Sequence, residues 1–211
     1  MNTPVSHPHP PRPTRLASAR PQASRWRALG LGSAVCASAL LALTACTTKP
    51  APLATDDGTV AVSLAFDGRF AGRSFDCTGV FEGVGSSGAS VTVADYRLFV
   101  SHVRLLDANG TETPLTLEDD GRWQHDGIAL LDFENGTAGC VNGTPETNTA
   151  IRGRVPAGDY TGIAFDVGVP FERNHADPTL AASPLNLTAM FWNWRGGYRF
   201  MRVDLASVDD G

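Results

Sequence analysis

The sequence predicts an all-β protein, an antiparallel β-sandwich with long loops and one short helix near residues 184–191. Three observations carry this reading. Apolar residues recur with period two in short runs, as in Val60, Val62, Leu64 and Phe66, which is the spacing of half-buried strands. Clusters of turn-forming residues such as Asp107-Ala-Asn-Gly110 and Gly196-Gly197 separate those runs. Long helical periodicity and internal repeats are absent, which leaves strands to build the core.

The chain does not begin with the folded part. Residues 1–45 contain no Asp or Glu and five arginines (Arg12, Arg15, Arg20, Arg25, Arg27), and an uncharged stretch rich in Ala and Leu runs from 28 to 45. Charged-then-apolar is the order of a secretory signal. The run ends in Leu43-Thr44-Ala45-Cys46, which resembles a bacterial lipobox, in which the cysteine is lipidated and becomes the mature N-terminus. A single transmembrane helix is the competing reading, because the run approaches the roughly 20 residues that a span needs. Its many Ala, Gly and Ser residues make it a poor anchor. The expected organisation is therefore a signal peptide over 1–45, lipidation at Cys46, a flexible tether over 46–58 and one folded domain over 59–211. Such a protein sits in the periplasm or at the cell surface, held to the bacterial membrane by lipid.

The strands follow in order. Residues 59–66 alternate, and 79–90, rich in Gly and Ser, read as a mobile loop. Residues 91–106 are the longest strand-like run, with Tyr96, Leu98, Val100 and His102 on one face and Phe99, Val103 and Leu105 on the other. Apolar residues on both faces indicate a central strand, or a bulge near Ser101. The Asp-Ala-Asn-Gly turn leads to a strand over 113–117, and 128–133 is a short apolar run closed by Glu134-Asn-Gly136. Residues 135–148 are polar and turn-rich. Runs at 151–155 and 160–169 flank Pro156-Ala-Gly-Asp159, a hairpin signal. Ser183-Pro184 fits an N-cap with proline at the first helical position, although 191–194 reads equally well as strand. Residues 198–205 look like a last strand.

From Cys46 onward the chain carries 12 basic and 22 acidic residues, a net charge of −10, with Lys49 its one lysine. So acidic a surface argues against nucleic acid and anionic membrane as partners and suits a cationic partner or a metal ion. Cys77 and Cys140 remain once the signal and Cys46 are set aside. In an exported protein such cysteines point to disulfide chemistry; the sequence leaves open whether they bond to each other.

The candidate chemistry lies late in the chain. Asn174-His-Ala-Asp-Pro178 precedes Met190-Phe-Trp-Asn-Trp194, which holds two of the four tryptophans. Histidine ligates metals and tryptophan is the most easily oxidised side chain, so the pairing suggests a metal or redox site. Three histidines follow the signal: His102, His125 and His175. None forms a local ligand pair, so a site must be assembled in space from separate strands. His125, in a polar turn, reads as an ordinary surface residue. His102 shares a strand face with apolar residues and needs a partner, which the sequence leaves as either a carboxylate or a metal. Asn174 and Asp177 either cap a turn or orient the His175 imidazole. Trp192 and Trp194 either fill the core or form an aromatic patch, and the thioethers of Met190 and Met201 would suit Cu(I) or simply pack.

Taken in their order, Val100-Ser-His-Val-Arg-Leu105, Ala129-Leu-Leu-Asp-Phe-Glu134 with Cys140, Val155-Pro-Ala-Gly-Asp-Tyr160, Gly168-Val-Pro170, Asn174-His-Ala-Asp177, Pro184-Leu-Asn186 and Met190-Phe-Trp-Asn-Trp194 ahead of Gly197-Tyr198 resemble the MbnP family of bacterial copper-binding proteins, also called metallo-mystery pair four-Cys proteins. The resemblance covers about residues 60–205. It implies a periplasmic or surface β-protein that binds copper through histidines. It also implies a di-haem cytochrome c peroxidase-like partner of the MbnH type, which oxidises a tryptophan to kynurenine. Carried onto this chain, it makes His102 and His175 candidate copper ligands and Trp192 or Trp194 the candidate modified residue. The family name counts four cysteines, and members continue with a further histidine and cysteine, so the sequence reads as a C-terminally truncated member.

The expected function is copper binding without catalysis, in concert with the di-haem partner. The alternative is a β-sandwich adhesion or ligand-binding lipoprotein whose aromatic patch stacks on sugar or peptide. A metal-dependent hydrolase is weaker, because no general base stands out near the histidines.

Overall fold

The computed structural model describes residues 57–208. The signal segment, Cys46 and the tether as far as residue 56 lie outside the described residues. In chain order the strands are β1 (Thr59–Ala65), β2 (Arg69–Phe70), β3 (Arg73–Ser74), β4 (Val80–Val84), β5 (Ala89–Leu106), β6 (Glu112–Pro114), β7 (Thr116–Leu117), β8 (Gln124–His125), β9 (Ile128–Asp132), β10 (Ala150–Pro156) and β11 (Gly162–Val167). A one-turn helix α1 (Phe171–Asn174) and a 3-10 turn (Thr188–Met190) precede β12 (Phe191–Asn193), β13 (Gly197–Tyr198) and β14 (Met201–Ser207).

The 18-residue β5 organises the larger sheet. One of its edges carries β4, β9 and β6 in succession, and the other carries β14 and β11, all antiparallel. A second antiparallel sheet, in the order β1-β10-β7, packs over it. Between them lies a core of Val100, Val103, Leu105, Leu115, Ala129, Leu131, Ile151 and Val155, with Val60, Val62, Leu64 and Phe66 packed against it. The fold is all-β and sandwich-like, as the period-two runs predict. Gln124 ties the sheets together: its amide accepts from Arg152 N at 2.7 Å and donates to Arg152 O at 2.8 Å.

Four local expectations are corrected. Residues 79–90 are not a mobile loop. Phe81 is fully buried, and β4 pairs with β5 through a glycine-rich turn, because the Phe81 ring and Val91 share one apolar cluster. Pro156-Ala-Gly-Asp159 is a turn but not a hairpin: β10 belongs to the smaller sheet and β11 to the larger, so the turn is a corner between layers. Tyr160 braces that corner by donating its hydroxyl proton to Pro156 O at 2.8 Å. The predicted strand at 113–117 splits likewise at buried Leu115, with β6 in one sheet and β7 in the other. The short helix near 184–191 reduces to the 3-10 turn, and the α-helical turn lies instead at α1. Leu185, Met190 and the half-buried Leu187 are drawn onto a second core cluster with Phe99, Ile128 and Tyr198, and a regular helix would turn part of that set to solvent.

Candidate metal centre

The candidate site is built on the excursion between β11 and β14. The chain leaves the larger sheet at Gly168, where φ is 132° and the Phe200 ring stands 2.6 Å from where a Cβ would be. Only glycine suits that approach. Pro170 then opens α1, which ends at buried Asn174, and His175 follows at its C-terminal cap. Asn174 fastens this segment to β13 by accepting from Tyr198 N through Oδ1 at 2.8 Å. At Gly197, with φ of 72°, an added Cβ would lie 2.3 Å from Asn174 O. Tyr198 in turn donates its hydroxyl proton to Leu185 O at 2.7 Å, and burial, with the charge of Asp177, raises its pKa.

His175 Nδ1 lies 3.1 Å from the main-chain oxygen of Trp194. A carbonyl only accepts, so Nδ1 carries the proton and Nε2 keeps its lone pair for a ligand. The Phe171 ring stands edge-on at 6.0 Å. Asp177 caps the next turn by accepting from Thr179 N and Oγ1 at 2.9 and 2.8 Å, which holds its carboxyl below the usual range. Of the two sequence readings for this pair, Asp177 is the turn cap, and Asn174 holds the loop to the hairpin.

The hairpin of β12 and β13 carries both tryptophans outward, Trp192 63% exposed and Trp194 71% exposed. They form a surface patch and leave the core beneath to Met190, Phe191 and Tyr198. Each indole lies under a guanidinium: Arg199 over Trp192 at 4.5 Å and Arg195 over Trp194 at 4.9 Å. Met190 is fully buried, so its thioether packs; Met201 is half exposed on β14.

His102 departs from its expected place. Its φ is 48°, and at this point β5 sets His102 and Val103 against Phe165 alone, a bulge in the pairing with β11. The extra residue reverses the alternation and turns His102 into solvent, away from the face of Val100 that the period-two pattern predicts for it. Its partner is a carboxylate: Nδ1 is 2.9 Å from Asp166 Oδ2, and Arg104 Nη2 is 3.5 Å from Asp166 Oδ1. The His102 hydrogen bond and the Arg104 charge hold the Asp166 carboxyl below its usual range. Here too Nδ1 is the nitrogen engaged. His125 pairs with Asp119 at 3.2 Å as an ordinary surface histidine.

Neither His102 nor His175 falls, among the described residues, in a group of three or more His, Cys, Asp or Glu side chains close enough to share an ion. Among the described residues, one group of three His, Cys, Asp or Glu side chains stands close enough to hold an ion: Cys77, Glu134 and Cys140. Cys77 and Cys140 are joined as a disulfide with Cα atoms 5.6 Å apart. This settles the pairing that the sequence leaves open.

Beside the disulfide lies a charged cluster that the sequence reading passes over. Arg97, Asp95, Asp132 and Glu134 are all at most 2% exposed. Arg97 donates through Nε to Asp95 Oδ1 at 2.8 Å, pairs with Asp95 again through Nη2, and has Nη1 3.5 Å from Glu134 Oε1. Arg202 adds a second cation, 3.2 Å from Asp95. Three carboxylates thus face two guanidiniums. Burial first, and the charge of Glu134 second, push the Asp132 carboxyl up to about 7. At Arg97 burial is more than offset by the hydrogen bond to Asp95 and then by the charges of Asp95, Asp132 and Glu134, which leave it above its ordinary value. A signal existed for this cluster: Asp95 and Arg97 are in phase with the apolar residues Val91, Val93 and Phe99.

No curated protein matches the chain. Among solved structures it is similar to MbnP from Methylosinus trichosporium, at 31% identity and a TM-score of 0.61, over 71% of this chain and 56% of that one. The chain therefore spans little more than half the length of that relative. A family model described as MbnP matches residues 59–211, and with that match across the whole folded region the chain belongs to the MbnP family.

Proposed function

We propose that this chain is an exported, lipid-anchored copper-binding protein, not itself a catalyst. It works with a di-haem cytochrome c peroxidase-like partner of the MbnH type, which oxidises one tryptophan to kynurenine. The observation that carries this reading is the link from His175 Nδ1 to Trp194 O at 3.1 Å, on an exposed hairpin bearing both indoles. It ties the His175 imidazole to the main chain of a residue that carries an oxidisable ring. His102, oriented by Asp166, is the second candidate ligand. Copper is preferred to zinc because imidazole sites bind Cu2+ more tightly.

Trp194 is the better candidate for oxidation. A cation over the ring face lowers the energy of the π electrons and makes them harder to remove. Arg199 is half-buried and lies closer over Trp192, whereas Arg195 over Trp194 is exposed and free to move away. The protein coexpressed with its genomic neighbour should carry copper and the mass shift of kynurenine. Trp194→Phe should abolish that shift and Trp192→Phe should not. Absence of both copper and an oxidised tryptophan would overturn the reading.

The exposed Phe171, Leu180, Trp192 and Trp194 also favour a second reading, a metal-free adhesion or ligand-binding surface. It requires ligand binding that survives His102→Ala and His175→Ala together.

A further inference from the structure

We infer that Cys77, Glu134 and Cys140 form a redox-gated metal site, closed while the cysteines are joined and open to a borderline divalent ion such as Zn2+ once they are reduced. The inference is independent of the copper reading and uses none of its residues.

Four observations carry it. The two sulfurs and a Glu134 carboxylate oxygen lie within 4.8 Å of one another, and all three residues are buried. Glu134 Oε1 makes no hydrogen bond, although the side chain is fully buried; its nearest cation, Arg97 Nη1, stands at 3.5 Å. Most buried side-chain polar atoms have a hydrogen-bond partner, and a carboxylate oxygen without one marks a place that an ion can fill. Asn135 N–H points at Cys77 Sγ from 3.5 Å, a donor that favours a thiolate there. At Gly143 a Cβ would fall 1.4 Å from Glu134 Oε2, so the opposing chain leaves room for the carboxylate only by carrying glycine.

In the disulfide the sulfurs are neutral and poor donors, because the thiolate is the metal ligand. Two thiols of an external reductant supply two electrons: the S–S bond breaks, Cys77 and Cys140 become thiols, and the reductant becomes a disulfide. When the ion enters, each thiol releases its proton to solvent and a metal–sulfur bond forms. Donors around a tetrahedral Zn2+ with bonds near 2.3 Å stand about 3.7 Å apart. Side-chain rotation suffices to part the sulfurs to that spacing, since the Cα atoms are already 5.6 Å apart. Two thiolates and a carboxylate around Zn2+ leave one negative charge, which Arg97 is placed to offset. Two sulfurs with one oxygen suit Zn2+, with a fourth position open.

The test uses the full chain with Cys36→Ser and Cys46→Ser, so that Cys77 and Cys140 are the only thiols. The protein is reduced anaerobically with a phosphine and titrated with Co2+. Expected are one Co2+ per chain and a sulfur-to-cobalt charge-transfer band in the reduced protein alone, with Zn2+ displacing the Co2+. Glu134→Gln should weaken binding by more than about tenfold, and His175→Ala should leave it unchanged. A reduced, folded protein without the band would overturn the proposal, as would equal affinity in Glu134→Gln or the same band before reduction. If reduction unfolds the chain, Co2+ must restore its circular dichroism, and failure to do so overturns the proposal as well.

Discussion

His175 and Trp194 are joined by a side-chain-to-main-chain hydrogen bond, Nδ1 to O at 3.1 Å, across 19 residues of sequence. The bond couples the loop after α1 to the β12–β13 hairpin and fixes which imidazole nitrogen faces outward. Because His175 is exposed, its removal deletes a donor without disturbing the core. His175→Ala is expected to lower copper affinity by more than about tenfold while changing stability by no more than about 0.5 kcal/mol. Competition against a chromophoric chelator and a thermal melt check the two parts separately. Unchanged affinity would remove His175 from the ligand set.

The same loop and hairpin meet at Asn174 and Gly197. A methyl group at 197 meets Asn174 O at 2.3 Å, and φ there is 72°, which an L side chain rarely adopts. Gly197→Ala should therefore cost about 1–3 kcal/mol and break the Asn174–Tyr198 hydrogen bond, seen as faster amide exchange at Tyr198. Gly196→Ala is the control: its φ is not in the left-handed region, and its nearest neighbour is the Trp192 ring at 3.2 Å. Equal losses in the two variants would mean that the contact with Asn174 matters little.

Period two made β1 and β5 legible, short apolar runs beside turn signals marked β9, β10 and most of β14, and Asp107-Ala-Asn-Gly110 announced its turn, closed by Gly110 N to Asp107 O at 3.1 Å. What stayed hidden depends on partners distant in sequence. The corner at 156–159 looks locally like a hairpin, because a tight turn has the same composition whichever sheet receives the next strand. The bulge that the sequence allows near Ser101 lies at His102 and Val103 and takes His102 off the face of Val100, because one extra residue reverses every side chain beyond it. Its carboxylate partner, Asp166, comes from the neighbouring strand 64 positions on. His175 was legible as a loop residue. Its acceptor was not, since every residue offers a main-chain carbonyl and nothing in the sequence singles out Trp194. The buried charges were half legible: the phase of Asp95 and Arg97 marks them as interior, but Glu134 reaches them only through the pairing of β5 with β9.

The disulfide closes a loop with a sequence separation of 63 residues. Loop-closure entropy for that length corresponds to about 4 kcal/mol of stabilisation, a large share of what a domain of this size possesses. Cys77→Ser with Cys140→Ser should lower the unfolding free energy obtained from a urea titration by that order. A loss under about 1 kcal/mol would show that the segment around Cys140 is held by its other contacts.

Asp132 gives the protein a pH dependence of unusual sign. Its native carboxyl titrates near 7, against an ordinary value of 3.8, because burial and the neighbouring Glu134 charge disfavour ionisation. Between those values the native state holds a proton that the unfolded chain has lost, so stability falls as pH rises. The contribution is fully present below about pH 4 and is lost as pH passes 7. The gap caps it at about 4 kcal/mol. Glu134, also raised by burial, acts with the same sign. Asp76, Asp107, Glu146, Asp166 and Asp177 are lowered instead, and their effects fall below the ordinary carboxylate range. Urea titrations at pH 5, 6.5 and 8 should therefore show wild type weakening across the series. Asp132→Asn keeps an oxygen to accept from Glu134 N, a bond of 3.1 Å in the native protein, and carries no charge at any pH. It should flatten the series and exceed wild type at pH 8. An unchanged slope in that variant would place the titrating group elsewhere in the cluster.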